Sequence, residues 1–536
     1  MKTLIRNGMI VDGLGGKPYR ADLMIDGKTI AEIAPHIEIP GCRVSDAGAS
    51  GNGRTPGENV CGDIRILDAA GQYVTPGFID IHRHADAAVF RKGFGKLEIR
   101  QGLTSIVNGN CGLSVVPLSP KDSSERISFL APVTGSLDGC RFEKFSEYME
   151  ALKKVSPPVE CGMLVGTGSI RAAVCGQENH SPSAAELRKM HEYLEDALAS
   201  GALGISMGIE YEPECFCRKE DFISQLEPAK GSGVPLIMHV RSEGDSLHDA
   251  LEEAVSLADA LDLPLHVSHI KCIGKRKWHS GSADSLAILD RARADGADVT
   301  CDVYPYTAGS TQLLQIIPKM LQAGGLDATL DSLRDPAVRR KLDELFRIPS
   351  TEFDNFVEME GWENISVSSV ASGKNRDCVG KSMTEIAEMR GISPLDAACS
   401  LLIDEHGAVT MIDTYACEED VRKFLACPYS NIISDSLYAE TGMPHPRLYG
   451  SFTRVLEKYV KQEKLFPIET AVRKMTSMPA SVVHLDRKGI LKKGMDADIL
   501  VFSPDAVREN ATYENPKQFG SGFSHIFIGG TEADLS

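Results

Sequence analysis

No apolar run in this 536-residue chain reaches the roughly 18 residues that would suggest a membrane span. The opening stretch, MKTLIRNGMIVDG, lacks the apolar region and small-residue cleavage site of a signal peptide. A cytoplasmic protein is therefore expected. Basic residues are also in deficit, with 57 Lys and Arg against 75 Asp and Glu, a net charge of −18. That balance argues against nucleic acid as a partner, because displacing counterions from phosphates needs a basic surface. The fourteen cysteines show no disulfide-framework spacing. They are expected as thiols, with Cys215 and Cys217 unpaired in a loop. At 42% hydrophobic and 25% charged, the chain is no disordered segment, collagen or coiled-coil rod, and it is long enough to bury a large core without staples.

Residues 3–34 alternate in short apolar and polar runs punctuated by Asp12-Gly13 and Asp26-Gly27, which predicts small antiparallel strands. Residues 43–64 are rich in Gly, Ser, Asn and Pro and read as a surface loop inside that β region. Strand character returns at ILDAAGQYVTPG and again near the C-terminus in MDADILVF and SHIFIGG.

From Pro76 onward the texture changes. Eight short apolar runs (GFIDIH, TSIVN, CGMLVG, ALGIS, PLIMHV, PLHVSH, ADVTCDV and NIISD) alternate with amphipathic stretches such as 183–200, 246–260 and 282–294. This order predicts an α/β fold, a (β/α)₈ TIM-like barrel over 75–484. A small β-sandwich formed by the N- and C-terminal segments, 1–74 and 485–536, would stand beside it. Residues 308–380 interrupt the rhythm and read as an insertion, either a lid or an extended connection.

Chemistry-bearing residues sit at the ends of these runs. The first ends in His82-Arg83-His84, and residues two apart on a strand point the same way, so two imidazoles can reach one metal ion. The second is followed by Gly109-Asn110-Cys111-Gly112, which places a thiol at a strand end. His239 and His269 end the fifth and sixth runs, and Asp435 the eighth. Asp435 alone would read as a helix cap or turn residue; four imidazoles and a thiol nearby make it a ligand candidate. His266 lies three positions before His269 and points to the other face, so it is left out. Scattered in sequence, these six groups meet only if the chain closes into a barrel.

Together they resemble the amidohydrolase superfamily, and within it the N-acyl-D-amino-acid deacylases (D-aminoacylases). Further matching segments are GTGSIRAAV at 166–174, GALGISMGIEY at 201–211, HVRSEGDSL at 239–247, SHIKCIG at 268–274, DVYPYTAGST at 302–311 and PHPRLYGSF at 444–452. The resemblance implies a zinc enzyme that hydrolyses the amide of N-acyl-D-amino acids. Cys111, His239 and His269 would hold a tight zinc; His82 and His84, with Cys111, would offer a weaker second site. Asp435 would be the catalytic acid and base, and Lys271, Tyr304 and Arg447 would grip the substrate's α-carboxylate. Many amidohydrolases place a carboxylated lysine on the fourth strand, and the run here ends ISMGIE without one. Arg83, Ile270, Ser436 and the spacing of 430–447 depart from the family pattern. The alternatives are a cyclic-amide hydrolase of the hydantoinase or dihydropyrimidinase kind and a non-catalytic scaffold that has lost its metal. The partner implied is a small-molecule substrate.

Overall fold

The computed structural model of the chain describes residues 2–39, 58–118, 123–138, 141–176, 179–439 and 441–535. The eight apolar runs are all strands, and all pair in parallel. Phe78–Asp80, Leu103–Asn108 and Glu160–Met163 form one sheet. Val165–Gly166, Ile205–Gly208, Leu236–His239, Leu265–Val267, Val299–Val303 and Ser430–Ile432 form another, in that spatial order. Leu164 alone separates the last strand of the first sheet from the first strand of the second. Every residue of Leu103–Asn108, Ile205–Gly208 and Leu236–His239 is buried. Parallel strands are covered on both faces, which is why these runs are apolar throughout instead of alternating.

Helices lie between the strands where the sequence pattern put them. Ala184–Ala199 starts at Ser183, whose hydroxyl accepts from the Glu186 N–H while the Glu186 carboxylate accepts from the Ser183 N–H at 2.7 Å. This reciprocal cap fixes the first turn. Met190, Tyr193, Leu194 and Ala197 form its buried stripe, and Gly201, at φ +91°, ends the run. Leu247–Leu261 and Gly281–Ala294 follow later strands, without a side-chain cap at their first turns. Among the described residues, no helix is long and apolar enough to cross a membrane.

The chain's two ends share one nine-stranded sheet. Lys2–Ile10 pairs antiparallel with Tyr19–Asp26, which pairs with Thr29–Ala34, and Tyr73–Pro76 joins the N-terminal part to Ile499–Phe502. The expected loop 43–64 lies outside the described residues as far as 57. Its end is a strand, not a loop: Glu58–Cys61 pairs antiparallel with Ile64–Asp68. Gly62, at φ +59°, gives the two-residue turn the left-handed conformation such hairpins need. Cys61 is disulfide-bonded, unlike Cys215 and Cys217, which are free.

Between Val299–Val303 and Ser430–Ile432 the chain builds a separate three-stranded antiparallel sheet. Ala308–Gln312 and Ile365–Val370 flank a central strand, Val409–Thr414.

The ends of the first and last parallel strands are joined by a bridge between Arg83 and Ser436 and by hydrogen bonds from the Asp435 N–H to the His82 carbonyl (2.9 Å) and from the His84 N–H to the Ser436 carbonyl (3.1 Å). Arg83 is wholly buried here. It donates to Tyr438 Oη, to Asp80 Oδ2 and Ser434 Oγ at 3.1 Å each, and to Glu98 Oε1 at 3.1 Å. The departure at position 83 is therefore compensated by two buried carboxylates. Replacing Arg83 by Met would leave those carboxylates buried without their cation. The expected loss is about 3–5 kcal/mol of stability, measured by denaturant unfolding; an unchanged midpoint would show that the cluster does not hold this seam.

Candidate active site

The Gly-Asn-Cys-Gly segment after Leu103–Asn108 shows why each residue type is needed. A side chain on Gly109 would fall 2.3 Å from the Leu164 carbonyl oxygen, and one on Gly112 would meet Glu214 Oε2. Asn110 Nδ2 donates to the carbonyls of Ile81 (3.2 Å), Arg83 (3.3 Å) and Val107 (3.1 Å), tying this turn to the His82–His84 segment. Cys111 then takes a left-handed backbone, φ +54°. His269 (φ +33°) and Asp435 (φ +50°) do the same. Non-glycine residues rarely adopt this conformation, and it persists only where the surroundings impose it. His269 is fixed by its N–H, which donates to Asp302 Oδ1.

These backbones bring the six ligand candidates together, all buried. Cys111 Sγ lies 3.3 Å from His82 Nε2 and 3.5 Å from His269 Nε2. His269 Nε2 lies 3.0 Å from His239 Nδ1. Asp435 Oδ1 lies 3.3 Å from His84 Nε2 and 3.6 Å from His82 Nε2. The strand Phe78–Asp80 stops short of His82 and His84, which sit in the seam beyond it. His266 is outside the cluster, bonded through Nε2 to Asp302 Oδ2 at 2.9 Å.

Burial pushes His239 down to about 4 and His84 and His269 below the usual imidazole range, so these rings are neutral. Burial also lowers His82, but the Asp302, Asp435 and Asp80 carboxylates outweigh it and raise this one ring. Burial opposes ionisation of Asp435 too, yet Arg447 and His84 hold its carboxyl well below the usual range. The Cys111 thiol is pushed far up by burial. A thiolate there requires a cation at the sulfur.

Neutral imidazoles, a cysteine and an ionised carboxylate are the donor set of a transition metal. Within this cluster three groups have ligand atoms within 4.8 Å of one another: His82, Cys111 and His269; His82, His84 and Asp435; and His239, Glu243 and His269. The residues present fit such an ion. Two second contacts orient the rings, as metal-binding histidines require. Glu210 Oε2 is 2.9 Å from His239 Nε2, and Glu243 Oε1 is 3.0 Å from His269 Nδ1.

Lys271, Tyr304 and Arg447 line the same cleft. Lys271 Nζ contacts Glu243 Oε1 and sits 2.7 Å from His269 Nδ1. Arg447, the first residue of helix Arg447–Arg454, reaches Asp435 Oδ2 (3.0 Å) and the Ser310 carbonyl (3.0 Å). Its guanidinium stacks 4.7 Å over the Tyr304 ring, and Tyr304 Oη accepts from Tyr415 Oη at 2.7 Å. Sequence reasoning missed Glu210, Glu243, Asp302, Asp413 and Tyr415. Three carried a visible signal: Glu210 follows a strand end, Glu243 follows His239 by one turn of loop, and Asp302 lies within a strand beside a polar site. Asp413 and Tyr415, at and just past the end of the inserted sheet's central strand, carried none.

Residues 65–516 match the amidohydrolase family. The chain is 33% identical to the N-acyl-D-glutamate deacylase of Alcaligenes xylosoxydans xylosoxydans, over 99% of this chain and 93% of that one. It is also 33% identical to the D-aminoacylase of the same organism, over 98% and 93%. A crystal structure of N-acyl-D-glutamate deacylase from Bordetella bronchiseptica, with zinc and a phosphonate that mimics the tetrahedral intermediate, matches with a TM-score of 0.80. Its identity is 29%, and the match covers 99% of this chain and 96% of that one. Likeness of this extent, at this identity, settles the family: the chain belongs to the amidohydrolases, with the N-acyl-D-amino-acid deacylases.

Proposed function

We propose that this protein hydrolyses the amide bond of N-acyl-D-amino acids, using zinc, to release a D-amino acid and a carboxylate. The observation that carries this reading is the meeting, in one cleft, of a Cys/His/Asp donor set with Lys271 and Arg447. A zinc ion held by these residues would supply polarisation of the scissile carbonyl and acidification of water. We assign the tight site to Cys111, His239 and His269, and a weaker one to His82, His84 and Cys111. Glu210 and Glu243 orient two of these rings.

The chain's own residues supply the rest. Lys271, Tyr304 and Arg447 grip the α-carboxylate and set the scissile bond against the ligand cluster. The planar fork of Arg447 suits a carboxylate, and its stacking on Tyr304 fixes its plane. Asp435, ionised and within reach of His84, takes a proton from the attacking water and returns it to the departing nitrogen. Without that proton the leaving group would be an amide anion. The position that a bridging lysine would need is near Glu210, which is committed to His239; this weighs against the cyclic-amide alternative.

We also read the two parallel sheets as one closed eight-stranded barrel spanning 75–484, with 160–166 counted as a single strand. The continuity across Leu164 and the Arg83–Ser436 bridge support this. The terminal segments 1–74 and 485–536 would fold as a sandwich about the core of Leu23, Ile25, Ile499 and Phe527. The insertion that follows Val303 would cover the cleft, since Gly309, Phe356 and Asp413 line it.

Asp435→Asn is expected to lower kcat on an N-acetyl-D-amino acid by about 10²–10⁴-fold while bound zinc stays at the wild-type level. Retained turnover would remove Asp435 from the chemistry. Dialysis against a chelator is expected to abolish turnover and lower Tm. Zinc at 1,000 times its Kd should restore both, with a stabilisation of about 4 kcal/mol; a Tm indifferent to chelation would argue against a metal at this cluster. N-acetyl-L-amino acids are expected to remain intact under conditions that consume the D forms.

A further inference from the structure

The cleft contains two cations besides its imidazoles, and the proposed function uses both on the α-carboxylate. Lys271 is already set against Glu243, and Arg447 against Asp435. The rest of the charged lining is acidic: Glu210 and Glu243 come from the parallel-strand side, and Asp413 from the inserted sheet. Asp354 and Glu360 are buried on the same inserted side. The nearest further cation, Lys319, is held off the lining by Gln315, whose Oε1 accepts from its ammonium.

Asp354 has its partners: it accepts from Ser242 Oγ at 2.6 Å and from the N–H groups of Glu243 (2.7 Å) and Gly244 (3.1 Å). Asp413 differs. It is 3% exposed, and its Oδ1 has no hydrogen-bond partner among the described residues. Both carboxylate oxygens of Glu360, which is 1% exposed, are in the same state. Buried polar atoms are nearly always paired, so the unpaired oxygen of Asp413, which lines the cleft, points to a missing donor there. Burial raises the Asp413 carboxyl to about 7, although Arg447 and Lys271 pull the other way.

The backbone leaves room for that donor. Asp413 pairs directly with Gly309 across the inserted sheet, and Gly309 lines the cleft. A side chain on Gly309 would sit 3.1 Å from Asp413 Oδ1 and 3.1 Å from Tyr415 Cε1. Its absence keeps the carboxylate open.

We infer that Asp413, backed by Glu360, is the specificity residue of the side-chain subsite, and that it selects N-acyl-D-amino acids whose side chain ends in a cation, D-lysine or D-arginine. The inference rests on the deacylase reading. An ammonium or guanidinium supplies the missing donor, and its charge adds to the pull of Arg447 and Lys271 on the carboxylate. An acidic side chain would bring another carboxylate into a buried wall of its own sign. In this the chain parts from its relatives named N-acyl-D-glutamate deacylases.

The test measures kcat/KM of the zinc-loaded full-length enzyme on Nα-acetyl-D-lysine, N-acetyl-D-norleucine and N-acetyl-D-glutamate. The expected order is lysine above norleucine by at least about tenfold, with glutamate lowest. Asp413→Asn, which keeps the shape, is expected to remove that preference for lysine over norleucine. Wild-type enzyme that prefers norleucine or glutamate would overturn the subsite assignment, and this comparison does not depend on the variant folding. An unchanged lysine-to-norleucine ratio in folded Asp413→Asn would overturn the role of Asp413. Failure to hydrolyse any of the three, with zinc bound, would instead overturn the deacylase reading beneath it.

Discussion

The hydrogen bond from the Asp435 N–H to the His82 carbonyl holds together residues more than 350 positions apart, and the site depends on it. Six side chains that face one another come from strand ends spread across most of the sequence. Five of them, from residue 82 to residue 269, follow strands that pair in sequence order. Asp435 cannot be placed that way, because it follows the last strand. It reaches the cluster only where the ends of the first and last strands meet. That join is short in backbone pairing, a bridge and two hydrogen bonds. The buried Arg83, with Asp80, Glu98, Ser434 and Tyr438, reinforces it with charge. A guanidinium out of water is costly unless its donors are met, and here they are met by groups from both sides of the seam. The residue that looks most out of place between two candidate ligands is thus the one that positions them.

The same cluster concentrates cost. Three non-glycine residues hold left-handed backbones, each worth about 1–3 kcal/mol of strain. Four imidazoles, an un-ionised thiol and an ionised carboxylate are packed at 3.0–3.6 Å, out of water. Asn110 and Asp302 hold the backbones in place: one ties three carbonyls to a turn, the other takes the His269 N–H and faces two imidazoles. These contacts fix the backbones that carry the donors. Burial has already removed the competing protons from His84, His239 and His269, while Cys111 still has one to lose.

Much of this was legible in the sequence because parallel strands buried on both faces leave unbroken apolar runs, and such runs stop where the chain turns to function. All eight runs are strands, and the chemistry-bearing groups at their ends lie together. What the sequence hid were the contacts between distant segments. The positions of Glu210 and Glu243 near strand ends were visible, but their contacts with His239 and His269 were not. Arg83 looked like a departure because its counter-charges, Glu98 and Asp80, are recognisable only when Tyr438 and Ser434 close over them. The strand Glu58–Cys61 was concealed by a glycine-rich composition that describes a loop and a hairpin turn equally well. The inserted antiparallel sheet was invisible for a related reason: its strands, Ala308–Gln312, Ile365–Val370 and Val409–Thr414, lie far apart in sequence and none is long.

That inserted sheet changes how the cleft should be understood. The parallel strands contribute every candidate ligand and Lys271, which all amide substrates of this class would meet alike. The insertion contributes Gly309, Phe356, Asp413 and Tyr415 to the lining. The two parts are not independent. Asp354, from the insertion, accepts from the N–H groups of Glu243 and Gly244 in the loop after His239, and Glu243 in turn contacts Lys271 and His269. A chain of hydrogen bonds therefore runs from the wall that would read the side chain, through the lysine that would hold the carboxylate, to an imidazole of the cluster. A substitution in the insertion that disturbed Asp354 would move Glu243, and with it both the grip on substrate and the orientation of His269. The inserted wall and the ligand cluster are in this way joined through a single buried carboxylate, which limits how freely the wall can vary while the cluster beneath it stays the same.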